Sequence, residues 1–437
     1  VVQEIAWAKR PRLIVADQKN AKVTLFEWDF IGRTAQSCIK YVVERYSLEG
    51  SDDQEVRMGV ACIRNCAQMY AATHGVREGN LKDLDTLLPA FRNFLSTDPR
   101  DKIFAILGLA SKSSLEVPSP EAFANADIVD TTGGRFSVLW LDVDPGRIRV
   151  VPQSHELQAN YNRQLAQVFR DYTINTIRKQ LRLDVLSFVD HGDDISIPSW
   201  VTRWDQPPRI AFSSGSIIQS QKSLFHHKPL YLVPLMLGES HDENILYLKG
   251  NHVATVRSST VVDVDSTFLE PIMNLLTSTF ADLEGIYLTG EKLHTALLAT
   301  LGLGRGNWGM RLNHLNPRLP SSIESFGEAL QDSYHKWGLS LMISMLAQTP
   351  KIAGSRFFIA DHYIGIGSPA LRVGDRIVNL FGSTVPFIVR PTFKAGCQNA
   401  YVLIGSCYVH GIMRGELCSD VKGARDCFAN RQIYCLV

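Results

Sequence analysis

Three groups of side chains in this sequence have types and spacings that suit chemistry. His410 lies two residues after Tyr408 and six before Glu416, so an imidazole, a phenol and a carboxylate are near enough in sequence for general acid–base work. The competing reading is a turn histidine satisfied by backbone, and Gly411 and Gly415 in the same stretch favour tight turns over a cleft. Arg100-Asp101-Lys102 sets two cations and an anion at the mouth of an apolar segment. They either pair locally, as charges at a helix N-terminus usually do, or form a contact surface for another copy of the chain. Cys62 and Cys66 are four apart on an expected helix, a spacing that turns two thiols to one side for a metal or packs two small buried side chains. None of the eight cysteines forms a C-x-x-C pair, and those after residue 396 are spaced unlike zinc ligands, so no metal is expected. Gly302-Leu303-Gly304-Arg305-Gly306 follows a helical pattern rather than a strand, which argues against a nucleotide loop; His226-His227 lack a nearby cysteine or acidic ligand pattern.

The elements that must position these groups follow from periodicity. Asp98 can cap a helix, Pro99 suits its first position, Asp101 falls three residues past the cap, and Ile103, Phe104, Ile106 and Leu107 give it a buried face that Gly108 ends in a left-handed conformation. Upstream, 1–10, 34–47, 54–76 and 83–95 read as helices, with strand-like pieces at 13–15 and 23–26. From 112 to 156 the pattern loosens, apart from alternation at 136–143 and 148–151 like a hairpin. A helix returns at 161–182, and Trp200 and Trp204 anchor an extended Pro-rich segment. Gly250-Asn251 reads as a hairpin turn between 246–249 and 253–256, and 266–300 and 322–348 as mainly helical. Between 356 and 409 the period drops to two, with strands at 357–360, 376–380, 385–389 and 401–404, a pattern of small bent sheets or barrels.

A chain of 437 residues suggests two or three domains of roughly 150 residues. With a net charge of +1, nothing draws it to nucleic acid or to an anionic membrane. No apolar run approaches the roughly 18 residues of a spanning helix. A reducing, cytoplasmic setting is expected.

The segment Thr97 to Ala110 resembles the T-D-P-R-D-K-hydrophobic-A-L-L-G-L-A run that closes the fungal heterokaryon-incompatibility (HET) domain, with Asp98, Pro99, Arg100, Asp101 and Lys102 matching. Further segments agree in order: Tyr161-Asn162 with Val168-Phe169 and Thr173; Pro198-Ser199-Trp200-Val201 with Trp204; and Gly374-Asp375, Pro386-Phe387, Arg390-Pro391, Gly405, Tyr408 to Met413 and Gly415-Glu416. Thr202-Arg203 departs from the family's Pro-Asp, and 112–156 is unmatched. Gln3 and Glu4 match the end of the family's R-x-W-x-x-Q-E element, whose tryptophan would fall just ahead of Val1.

The resemblance implies an α+β chain: the C-terminal part of a TIR-like α/β HET domain at 1–111, an irregular insertion or linker at 112–156, a mixed, mainly helical region at 157–350 and a small β-rich region, a bent sheet or barrel, at 351–437. It implies a role in non-self recognition that triggers cell death, exercised through a protein partner or self-association. In TIR-like enzymes a carboxylate such as Glu4 supports cleavage of the nicotinamide–ribose bond by stabilising oxocarbenium-like charge, so NAD⁺ is a possible substrate of the intact domain rather than a bound cofactor. The family's Y-x-W-G and I-D-x-x-C-I-N-Q segments have no counterpart in order, and the chain begins within a helical pattern. It is therefore expected to be N-terminally truncated and to hydrolyse no NAD⁺; a signalling adaptor that works by binding alone is the other reading.

Overall fold

The structure is a computed structural model that describes residues 5–6, 8–17, 22–43, 54–111, 128–129, 135–136, 158–180, 182–190, 196–206, 208, 237–238, 242–262, 269–280, 286–304, 352, 354–397, 399–413, 416–418 and 430–437. Glu4, Gln3, Gly415 and the expected helix at 322–348 lie outside these residues.

The two short alternating runs near the start form strands β1 (Arg12–Asp17) and β2 (Lys22–Glu27), paired antiparallel with Arg12 opposite Glu27. Helix α1 (Trp28–Cys38) follows directly, continues through a π turn at Ile39–Val43, and packs on α2 (Gln54–Arg77), where the Trp28 indole donates to Thr73 Oγ1 at 3.2 Å. Helices α3 (Leu84–Phe91) and α4 (Asp101–Leu107) bury Leu84, Leu87, Leu88, Phe91, Ile103, Phe104 and Ile106 in one cluster.

Two details at α4 differ from the sequence expectation. Asp98 does not occupy the capping position: its carboxylate accepts the backbone N–H of Arg100 at 2.9 Å in a preceding turn, so the helix starts at Asp101. Gly108 keeps right-handed dihedrals (φ −67°, ψ −10°), because Leu109 and Ala110 continue as tight turns onto the Ile106 and Leu107 carbonyls.

A short antiparallel pair, β3 (Ile128–Val129) with β4 (Arg135–Phe136), occurs just ahead of the expected alternating stretch, whose remainder lies outside the described residues. Helix α5 (Leu165–Gln180) leads into a 3₁₀ turn at Asp184–Phe188 and the Trp200/Trp204 segment. Both indoles are fully buried, Trp200 donating to the Asn244 carbonyl at 3.0 Å.

The principal sheet contains β5 (Leu237–Gly238) and β6 (Leu246–Val261), then, after helices α6 (Leu269–Phe280) and α7 (Leu293–Leu301), strands β7 (Arg356–Ala360), β8 (Tyr363–Gly367), β9 (Arg376–Leu380), β10 (Phe387–Pro391), β11 (Ala400–Ser406), β12 (Tyr408–Val409) and β13 (Gln432–Leu436). The expected hairpin at 246–256 is instead this single 16-residue strand β6. Gly250 is needed for approach, not for turning: a Cβ there would stand 2.5 Å from the Asn379 carbonyl oxygen and 2.9 Å from Leu380 Cα.

Pairing in the order β6-β13-β11-β10-β9 and back from β9 to β6 closes a five-stranded barrel, while the far half of β6 carries the side sheet β7-β8-β12. Register shifts at His252/Ala254 and Val256/Ser258 bend β6 where it passes from one to the other. Inward side chains, among them Leu248, Val378, Leu380, Phe387, Val389, Tyr401, Leu403, Tyr434 and Leu436, join the same core as Phe188, Trp200 and the front helices. Residues 183–190 and 196–200 are bound to the barrel: Leu403 donates to Ser199 Oγ at 2.9 Å, Ser199 to the Val437 carbonyl at 2.9 Å, and Thr384 to Asp184 Oδ1 at 2.8 Å.

Candidate functional site

The charge triplet is spent almost entirely inside the chain. Arg100 binds Asp98 through Nε and Nη2, the latter 2.7 Å from Oδ2, donates through Nη1 to the carbonyls of Tyr161 and Arg163, and lies 5.4 Å from the Tyr161 ring centre. Asp101 accepts the Tyr161 hydroxyl at 2.5 Å. Lys102 Nζ donates to the carbonyls of Arg92, at 2.8 Å, and of Phe94, groups left unpaired by the end of α3. The triplet thus ties α4 to α3 on one side and to residues 161–163, about 60 positions further along the chain, on the other. Arg100 forms an ion pair, with Asp98, while Asp101 and Lys102 engage a hydroxyl and two carbonyls.

These contacts border an open depression of about 670 Å³ lined by Asp101, Phe104, Leu107, Gly108, Ala159 and Tyr161, among others. Its electrostatics suit recognition better than proton transfer. The hydrogen bond to Asp101 holds the Tyr161 phenol above its ordinary range, so it stays a neutral donor. Hydrogen bonds from the Arg100 side chain and amide hold the Asp98 carboxyl below its ordinary range. Burial lowers the Lys102 ammonium, whose protons are already directed at two carbonyls.

His410 has a carboxylate partner, but it is Glu291 rather than Glu416. Its Nε2 contacts Glu291 Oε1, its Nδ1 lies 3.1 Å from the Tyr408 hydroxyl, and its carbonyl accepts from the Tyr287 hydroxyl at 3.2 Å. Glu291 also accepts from Thr289 at 2.9 Å. Tyr287 in turn accepts the Ile364 amide at 3.0 Å, and a Cβ on Gly411 would stand 3.0 Å from Thr289 Cγ2. The cluster fastens the turn after β12 to residues 287–291; the histidine does sit in a turn, but its ring is held by the Glu291 carboxylate and the Tyr408 hydroxyl rather than by backbone. Glu416 stands in a separate 3₁₀ turn, Glu416–Cys418.

Gly374-Asp375 and Arg390-Pro391 form a clasp within the barrel. Asp375, 2% exposed at its side chain, receives Arg390 Nε at 2.8 Å and Nη2 at 3.0 Å; the same Nη2 reaches the Ala370 carbonyl at 2.7 Å. Pro391 ends β10, where an N–H is not needed.

Two groupings escaped sequence reasoning. Arg92 is buried with Asp190, Nη2 to Oδ1 at 2.9 Å, and also donates to the carbonyls of Phe188, Arg203 and Gln206 beneath the Trp204 ring. Cys397 and Cys435 meet beside Tyr247. Partners 38 to 150 residues apart leave no local spacing to read. Among the described residues no group of three or more His, Cys, Asp or Glu has a metal-binding arrangement, and no helix is long and apolar enough to cross a membrane.

The family described as the Het-6 beta-barrel domain matches residues 333–429. That stretch includes β9, β10 and β11, while β6 and β13, which close the barrel, lie outside it. Over 70 residues the chain is 40% identical to heterokaryon incompatibility protein 6, OR allele, of Neurospora crassa; the match covers 16% of this chain and 10% of that protein. No solved structure matches the chain. By these two partial matches, set on a C-terminal closed barrel, the chain is similar over part of its length to heterokaryon-incompatibility proteins and to the Het-6 β-barrel domain.

Proposed function

We propose that this protein acts in heterokaryon incompatibility, contributing to the cell death that follows fusion of unlike cells, and that it does so in the cytoplasm by binding a protein partner or a second copy. Residues 1–111 are assigned to the back part of a HET domain of TIR-like architecture. The observation that supports a binding role is the open depression lined by Asp101, Phe104 and Tyr161, whose phenol is held a neutral donor. The family match supports the incompatibility context.

The test is inducible expression of the chain and of its Glu4→Ala variant in a fungal host, with viability and cellular NAD⁺ followed together. Loss of viability at constant NAD⁺, equal in both forms, is the expected result. A fall in NAD⁺ that Glu4→Ala abolishes would replace the binding role with NAD⁺ cleavage. Unchanged viability would remove the incompatibility role for this chain.

A further inference from the structure

Alternation along β13 sends Tyr434 into the barrel and Cys435 to its outer face. Cys435 is 0% exposed there, because it is covered from two directions. It pairs in register with Tyr247 of β6 on one side and with Ala400 of β11 on the other. The turn from β10 to β11 then folds back over it. Gly396 and Asn399, on either side of Cys397, take left-handed φ values of 80° and 56°; the Cys397 amide donates to the Lys394 carbonyl at 3.1 Å, and the Cys435 amide to that of Asn399 at 3.1 Å. Cys397 Sγ consequently lies 3.6 Å from the Tyr247 hydroxyl and in hydrogen-bond reach of the Cys435 thiol.

We propose that Cys397 and Cys435 are a reversible redox pair, oxidised by peroxide to a disulfide that fastens the exposed β10–β11 turn to the strand closing the barrel.

The division of labour follows from the surroundings. Cys397 is half-buried on a turn whose neighbour Phe393 is 90% exposed, so a small oxidant reaches it first. The hydrogen bond with Cys397 holds the Tyr247 phenol above its ordinary range, leaving a proton donor aimed at the Cys397 sulfur. Burial pushes the Cys435 thiol up to about 12, so Cys435 waits protonated as the resolving group. In the first step the Cys397 thiolate attacks one peroxide oxygen, the O–O bond breaks, and with one proton taken up the products are a sulfenic acid and water. In the second, Cys435 sulfur attacks the sulfenic sulfur, the S–O bond breaks, and the departing hydroxide takes the Cys435 proton as water. Two thiols and one hydrogen peroxide thus give one disulfide and two waters; a dithiol reductant reverses the change.

The test treats the purified full chain with hydrogen peroxide, alkylates the remaining thiols, and maps cross-linked peptides by mass spectrometry before and after dithiothreitol. The expected result is one cross-link joining the peptides of Cys397 and Cys435, lost on reduction and absent from Cys397→Ser, a substitution at a half-exposed turn chosen to spare the fold. In Cys435→Ser, Cys397 is expected to stop at sulfenic acid, trapped by dimedone. Both thiols remaining alkylatable after peroxide, or Cys397 advancing to sulfinic acid without a cross-link, would overturn the proposal.

Discussion

Removing one partner of the Arg92–Asp190 pair leaves the other charged and enclosed, with side chains only 2% and 3% exposed. Asp190→Asn keeps the shape but strips the counter-charge, and an uncompensated buried ion costs about 3–5 kcal/mol. The more telling variant is Arg92→Met with Asp190→Leu. If only the ion pair mattered, two apolar residues would restore stability, since such replacements are often neutral. Here the guanidinium also satisfies the carbonyls of Phe188, Arg203 and Gln206, at 3.0, 3.2 and 3.0 Å. Losing those hydrogen bonds at about 1 kcal/mol each leaves the double variant roughly 3 kcal/mol below wild type. Urea unfolding followed by tryptophan fluorescence reads this directly, because Arg92 lies 5.6 Å from the Trp204 ring centre. A double variant with the wild-type midpoint, or a cost under about 1 kcal/mol for Asp190→Asn, would refute the account.

Two further outcomes are expected. Gly250→Ala forces a methyl against backbone atoms of Asn379 and Leu380 that cannot swing aside, destabilising the barrel by about 1–3 kcal/mol; a midpoint shift near zero in thermal unfolding would return Gly250 to the role of a turn residue. At Asp361 burial raises the carboxyl, but the Thr255 amide and the Arg257 guanidinium outweigh it, holding the group below its ordinary value. A depressed carboxyl contributes stability above its unfolded pKa of about 3.9 and loses it as pH falls through the lower folded value. Asp361→Asn, which tolerates the same left-handed φ of 49°, should therefore lower the melting temperature at pH 6 by an amount that shrinks toward pH 3; a gap independent of pH would contradict it.

Much of this architecture is legible as period and punctuation. The alternation that predicts strands at 357–360 and 376–380 is realised in β7 and β9, and the apolar face at 103–107 in α4. The misreadings have specific causes. Gly-Asn marks a turn and a close approach with the same residues, so the pattern breaks β6 at the point where β9 presses on Gly250. Asp98 and Pro99 promise a cap, yet the aspartate spends its oxygen on a turn two residues early. The site partners were harder still. Glu291 lies 119 residues before His410, and Tyr161 60 residues after Asp101; only the closed fold brings them together.

The anchoring of α4 by Tyr161 and Arg163 has a consequence for the order of folding. Asp101 and Tyr161 are 60 residues apart in sequence, whereas α4 and α3 are near neighbours along the chain. Contacts between distant residues carry a loop-closure cost that local ones avoid, so α3 and α4 dock on each other first and Tyr161 seals them afterwards.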